Sequence, residues 1–150
     1  KSEPVCLRTL ALLAPASLKT YESIGKPLPN RLNVVVSSQN NLNLPQDVIV
    51  CTSPNEALKR SRVLCLEHKI ENIWIIGGAA IYQQFIKRAD RMFLTTIDKE
   101  CEGDTYFPSF KSELWQLKNV TEHNDPKGYL LDNQNELGLK YKVEEYERIF

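Results

Sequence analysis

Ile75-Ile76-Gly77-Gly78-Ala79-Ala80-Ile81-Tyr82 decides how this chain is read. A short apolar run, Ile73–Ile76, leads into two glycines. Ala79, Ala80, Tyr82, Gln83 and Phe85 then continue to about Ile86 without a breaker, so the order is strand, glycines, helix. Glycines at the carboxyl end of a strand let a ligand approach the main chain closely. The helix that follows opens with N–H groups that have no acceptor inside it, a setting that favours phosphate. The same pair also reads as a tight turn and nothing more, and the stretch by itself leaves both open.

Working outward, Leu32–Val36, Val48–Val50 and Met92–Ile97 are further short runs rich in Val and Ile, as buried strands are when both faces of a sheet are covered. Between them Ser53-Pro54-Asn55-Glu56 starts a helix that runs to about His68. Ser53 caps it, Pro54 suits its first position and Glu56 completes a capping box. Beyond Pro108 the segments lengthen and alternate, notably Leu137–Ile149, with turn-forming Asp132-Asn133-Gln134-Asn135 before it, which predicts a terminal antiparallel hairpin. The fold class expected is α/β: a mostly parallel central sheet with helices on both faces and a C-terminal antiparallel hairpin. No repeat or linker divides the 150 residues, so a single domain over 1–150 is expected.

Composition narrows the function. The 19 basic and 19 acidic residues are mixed along the chain and cancel, which argues against nucleic acid or a membrane surface as partner and for a small molecule. No apolar run approaches the roughly 20 residues of a membrane span, and Lys1–Leu18 lacks the pattern of a signal peptide. A soluble cytoplasmic monomer is the expectation. Cys6, Cys51, Cys65 and Cys101 form no C-x-x-C pair and have no His at ligand spacing, so they are read as reduced, buried thiols rather than metal ligands. Asn119-Val120-Thr121 matches a glycosylation acceptor and is read as chance.

A second candidate region runs Thr20-Tyr21-Glu22-Ser23-Ile24-Gly25-Lys26-Pro27-Leu28-Pro29-Asn30-Arg31 into the strand Leu32–Val36 and then Ser37-Ser38-Gln39. Arg31, after a proline-stiffened loop, offers a fork to a ligand carboxylate or pairs with a surface neighbour. Ser37 and Ser38 bind a phosphate or simply end the strand. Taken together with Phe93-Leu94-Thr95-Thr96-Ile97-Asp98 and Gly103-Asp104-Thr105-Tyr106-Phe107-Pro108, these pieces, in this order and spacing, resemble dihydrofolate reductase over Thr20–Phe150.

The resemblance implies NADPH as cofactor and dihydrofolate as substrate, with hydride transfer to C6 of the pterin and protonation at N5. It places Lys19 and Thr20 at the cofactor phosphates. Ser37, Ser38 and Gln39 fall at the adenosine 2′-phosphate, and Gly77, Gly78, Ala79, Ala80 and Ile81 at the turn over the pyrophosphate. Tyr82 falls beside the nicotinamide. On the substrate side it implies Arg31 for the α-carboxylate of the glutamate tail, Leu28 against the aminobenzoyl ring and the Ile76 carbonyl facing the pteridine. Thr95 is implied as the hydroxyl that reaches the catalytic carboxylate.

Residues 1–18 depart from the family pattern. The family begins with a strand, a mobile loop and a helix bearing an acidic residue, of which Lys1-Ser2-Glu3 resembles only a short run, making Glu3 the candidate catalytic acid. Where a central strand ending in Gly-Arg/Lys is expected, the chain has Ala14-Pro15-Ala16-Ser17-Leu18, so the strand and a phosphate-binding cation are expected to be replaced. With Lys at position 1 and Met92 the only methionine, the chain reads as a fragment, a splice form or a divergent paralogue. Two functions follow: an NADPH-dependent reductase, impaired in this form, or a non-catalytic relative that retains nucleotide-binding surface.

Overall fold

The computed structural model describes residues 12–39, 41–98, 100, 102–125 and 138–149. The described residues divide into two compact units, 12–87 and 88–149. The fold is α/β, with a parallel sheet flanked by helices and a C-terminal antiparallel hairpin.

In the first unit, strands β1 (Leu12–Ser17), β2 (Arg31–Val36) and β3 (Val48–Cys51) pair in parallel in the order β1-β2-β3. Side chains alternate across β2, so both faces need cover. Val34 and Val36 pack with Cys51, Ala57, Ile81 and Phe85 on the side of α2 (Pro54–His68) and α3 (Ala79–Phe85). Val35 packs with Val48 and with Leu18 and Tyr21 of α1 (Leu18–Ile24). Helix α2 is capped as expected: the Glu56 N–H donates to Ser53 Oγ at 3.2 Å, and Thr52 donates to Glu56 through both N–H and hydroxyl at 2.7 Å. It ends on Lys69, in the left-handed region at φ 54°.

The expected loss of the central strand is corrected: β1 is present, built from the very residues that depart from the family pattern. Pro15 lies in it opposite Val34, fully buried. The Pro15 carbonyl accepts from Ile76 N–H at 3.2 Å. In a strand a residue's nitrogen and carbonyl point to the same side, so the missing N–H of Pro15 faces Ile76 and subtracts nothing from the ladder to β2. Ala14 and Ala16, both buried, leave room for the flanking layers. Ile73–Ile76, expected as a strand, makes only a single bridge at Ile73. Ile76 N–H and the Gly77 carbonyl, which takes Ser17 N–H at 2.7 Å, tie it to β1 before Gly77, at φ 106°, turns the chain away.

In the second unit, β4 (Arg91–Ile97), β5 (Trp115–Asp125) and β6 (Leu139–Arg148) form an antiparallel sheet in the order β4-β6-β5, so β6 is central and the hairpin β5–β6 lies at one side. A bulge between Leu117 and Asn119 interrupts the β5–β6 register. Arg148 anchors the end of β6, donating from Nε to the Ala89 carbonyl at 2.7 Å with its guanidinium 4.5 Å over the Trp115 ring. Phe110 meets both Phe107 and Tyr146 edge to face. The expected turn at Asp132–Asn135 lies outside the described residues. Among the described residues no helix is long and apolar enough to cross a membrane.

Candidate functional site

The carboxyl ends of β1 and of the Ile73–Gly77 stretch meet in a knot of hydrogen bonds around Ser17. Its Oγ accepts from Thr20 N–H at 3.2 Å and from Gly78 N–H at 3.2 Å, and is hydrogen-bonded to Thr20 Oγ1 at 3.0 Å. Ser17 is thus the N-cap of α1 and a brace to the glycine turn at once. Thr20, Gly77 and Gly78, which the sequence placed together, are brought together. Ser17 itself was read only as a departure, and helix α1 was not foreseen. The signals were there: Ser17 three residues before Thr20, and Gly25 closing the helix at φ 78°.

The two glycines serve different ends. Gly77 is required by its backbone, since φ 106° is a conformation L side chains rarely adopt, and a Cβ there would lie 3.1 Å from the Tyr82 ring. Gly78 has an ordinary φ of −74°, but a Cβ there would come within 3.3 Å of Thr20 Oγ1 and 3.6 Å of Ser17 Oγ. The Gly78 carbonyl accepts from Ile81 and Tyr82 N–H groups at 3.0 and 2.9 Å, which leaves the Ala79 and Ala80 N–H groups without an acceptor in the helix. Lys19 is exposed on the first turn of α1. Ile81 is buried in the core, so only its main chain is available to a ligand.

At the end of β2, Ser37 is buried. Its N–H donates to the Cys51 carbonyl at 3.0 Å, and its Oγ accepts from Gln39 N–H at 3.1 Å, a short turn that leaves Ser38 and Gln39 exposed. Beside it, burial pushes the Cys51 thiol above its ordinary range, helped by the Glu56 carboxylate and opposed by Arg60.

At the start of β2, Arg31 donates from Nε to the Pro29 carbonyl at 3.0 Å and, among the described residues, pairs with no carboxylate. Leu28 is half-buried in the same loop, tied by its N–H and carbonyl to the Asn33 side chain. Asn33 was hidden inside an apolar run and was not singled out. Thr95 lies in the second unit, on β4 opposite Val143, 6% exposed, and its hydroxyl has no partner among the described residues. Glu3 lies outside the described residues.

Comparison with known proteins agrees with this geometry. The dihydrofolate reductase family profile matches residues 17–148. A dihydrofolate reductase of Aedes albopictus is 36% identical over 137 residues, covering 87% of this chain and 70% of that protein. One from Sus scrofa is 35% identical over 136 residues, with the same coverage of each. The solved dihydrofolate reductase of Enterococcus faecalis, in complex with NADP(H) and RAB-propyl, superposes with a TM-score of 0.67 at 25% identity, over 91% of this chain and 74% of that one. A strand whose sequence departs from the pattern has kept its place beside a glycine turn that follows it, and the chain belongs to the dihydrofolate reductase family of NADPH-dependent oxidoreductases.

Proposed function

We propose that this protein reduces 7,8-dihydrofolate to tetrahydrofolate with NADPH, hydride going to C6 of the pterin and a proton to N5. The observation that carries the reading is the meeting of Thr20 with the Gly77-Gly78 turn at the ends of adjacent chain segments, braced by Ser17, whose N–H donates to the Gly77 carbonyl and whose hydroxyl accepts from the Thr20 and Gly78 N–H groups. The residues present fit the cofactor. Gly78 keeps open a cradle that a Cβ would fill, and the donor set of hydroxyls, Lys19 and the Ala79 and Ala80 N–H groups suits phosphate. Ser38 and Gln39, exposed at the end of β2, supply polar groups for the 2′-phosphate, with Ser37 shaping their turn. Tyr82 borders the turn from within. NADPH supplies the hydride when bound.

The chain's own residues orient the substrate and handle one proton. Arg31, with terminal nitrogens unpaired among the described residues, holds the substrate's α-carboxylate, Leu28 lines the aminobenzoyl ring and the Ile76 carbonyl faces the pteridine. Thr95 keeps a buried hydroxyl for the proton-carrying carboxylate, a role for which Glu3 is the candidate. Titration with NADPH, followed by nicotinamide fluorescence, tests the assignment. Gly78→Val, whose side chain enters the space of Thr20 and Ser17, should abolish binding, and affinity equal to the unmodified chain's would refute the placement.

One observation favours the non-catalytic alternative. Ser17 Oγ already takes the N–H groups of Thr20 and Gly78, which a phosphate would otherwise meet. If that sequestration prevails, the unmodified chain binds NADPH weakly and Ser17→Gly binds it more tightly. Under the reductase reading Ser17→Gly changes affinity little.

A further inference from the structure

Asn33 is the polar residue in the buried stretch of β2, 6% exposed beside Val34, Val35 and Val36. A buried amide is costly unless its groups are bonded, and an apolar residue there would avoid the cost altogether. Its bonds do not serve the sheet. Oδ1 accepts from Leu28 N–H at 2.9 Å, and Nδ2 donates to the Leu28 carbonyl at 3.0 Å and to the Arg31 carbonyl at 3.1 Å. The side-chain amide thus grips Leu28 as a neighbouring strand would, through donor and acceptor together. Because Pro27 and Pro29 carry no N–H, Leu28 offers the one main-chain donor in that tripeptide, and Asn33 takes it.

The same loop carries Arg31. Asn30, at φ 59°, turns the chain sharply between Pro29 and Arg31, and Arg31 Nε hangs on the Pro29 carbonyl at 3.0 Å. The loop is therefore fixed at Leu28 N–H, Leu28 carbonyl and Arg31 carbonyl by one buried side chain, and the guanidinium is in turn fixed to the loop. A planar fork discriminates by direction, so whatever fixes the loop fixes what the fork selects.

We propose that Asn33 is a positioning residue for substrate recognition: it holds the Leu28–Arg31 loop so that the Arg31 fork meets a carboxylate on the substrate's tail. The inference rests on the assignment of Arg31 to substrate made above. It goes further by placing tail selectivity in a residue that touches no ligand.

The test compares the affinities of the full chain for folate and for pteroate, the same molecule without its glutamate. Arg31→Leu should collapse the preference for folate, and a preference left intact would sink the underlying assignment. Asn33→Leu, which removes all three bonds, should weaken folate binding about tenfold, the loss of roughly one well-made hydrogen bond, and pteroate, which keeps the aminobenzoyl ring that Leu28 lines, by no more than about threefold, with NADPH within about twofold. Asn33→Asp keeps the acceptor for Leu28 and the shape of the amide but sets a second oxygen against two carbonyls, and should shift the preference the same way. In Arg31→Leu/Asn33→Leu the second change should add to the first no more than the small loss it causes for pteroate. A merely structural Asn33 would weaken folate and pteroate equally, and that result, with Arg31→Leu behaving as expected, overturns the proposal alone. In the unmodified chain the Leu28 amide should exchange with solvent much more slowly than exposed loop amides. Unprotected exchange at Leu28 overturns the proposal without recourse to any variant.

Discussion

Strands β2 and β5 show how differently the two units are held together. In β2 the last four residues are buried, with Val34 and Val36 under α2 and α3 and Val35 under α1. In β5 Trp115 is buried and the ten residues that follow are exposed, Val120 at 43% and Leu117 at 47% among them. The first unit is a sheet closed on both faces, whose strand ends are the places left for chemistry. Nearly every candidate site residue sits at such an end: Thr20 just past β1, Ser37 past β2, Gly77 and Gly78 past the stretch beside β1. The second unit is a ribbon held by cross-strand pairs such as Arg91 with Glu145 and His123 stacked 4.8 Å from Tyr141. Among the described residues it contributes one candidate, Thr95, from the strand interior.

The sharpest way to break this contrast is one substitution made in both places. Val→Thr keeps shape and adds a hydroxyl. At Val34, fully buried among apolar side chains, that hydroxyl finds no partner, and the cost should be about 2 kcal/mol. At Val120 it stays in water, and the change should lie within about 0.5 kcal/mol. Urea midpoints of the two variants decide the matter. Equal losses would mean that β5 is as closed as β2.

Legibility follows the same divide. Helix α2 was readable to its first residue because Ser53, Pro54 and Glu56 act locally, and β2 because a strand covered on both faces must be an apolar run; β3 reads as an apolar run too, although Val50 in it is exposed. Strand β1 was not readable: Leu-Leu-Ala-Pro-Ala-Ser has no β-branched residue and a proline, and it is a strand only because of its register between β2 and Ile76. Helix α1 is only seven residues long and is marked by little besides its Ser17 cap and the Gly25 that ends it. The antiparallel hairpin was visible in the alternation of Leu137–Ile149, but the pairing of β6 with β4 is a long-range choice that leaves no local mark. At the site, glycines and Arg31 are recognisable by residue type. Ser17 and Asn33 matter through hydrogen bonds across loops, which residue type does not announce.

The reverse substitution separates stability from function in the second unit. Thr95 keeps a buried hydroxyl with no partner among the described residues, a group that costs about 1–3 kcal/mol when it stays unsatisfied. Thr95→Val should therefore leave the urea midpoint unchanged or raise stability by up to about 1 kcal/mol. If the hydroxyl serves the catalytic carboxylate, turnover of dihydrofolate should fall about tenfold or more. A clear loss of stability would show that the hydroxyl is already satisfied and that Thr95 belongs to the structural inventory of β4.

The smallest effect expected is a difference in pH response between the units. The Thr52 hydroxyl, then the Thr52 N–H, hold the Glu56 carboxyl below its ordinary value of 4.5, with Arg60 and the Ser53 N–H assisting against a little desolvation. A carboxyl depressed in the folded state contributes stability that is present above its unfolded value and is lost as pH falls through the folded one. The start of α2 should loosen in that acid window, and Glu56→Gln should flatten the response. In the second unit the Tyr146 hydroxyl is raised above 10.0, first by burial and then by the Glu144 carboxylate. Its contribution is intact below that value and is lost above it, because the unfolded chain ionises first. Site-resolved amide exchange should then show α2 opening at the acid end while the β5–β6 ladder holds, and that ladder opening at the alkaline end. Loss of both regions together in acid, unchanged by Glu56→Gln, would mean that the capping carboxylate contributes nothing separable and that the two units respond to protons as one.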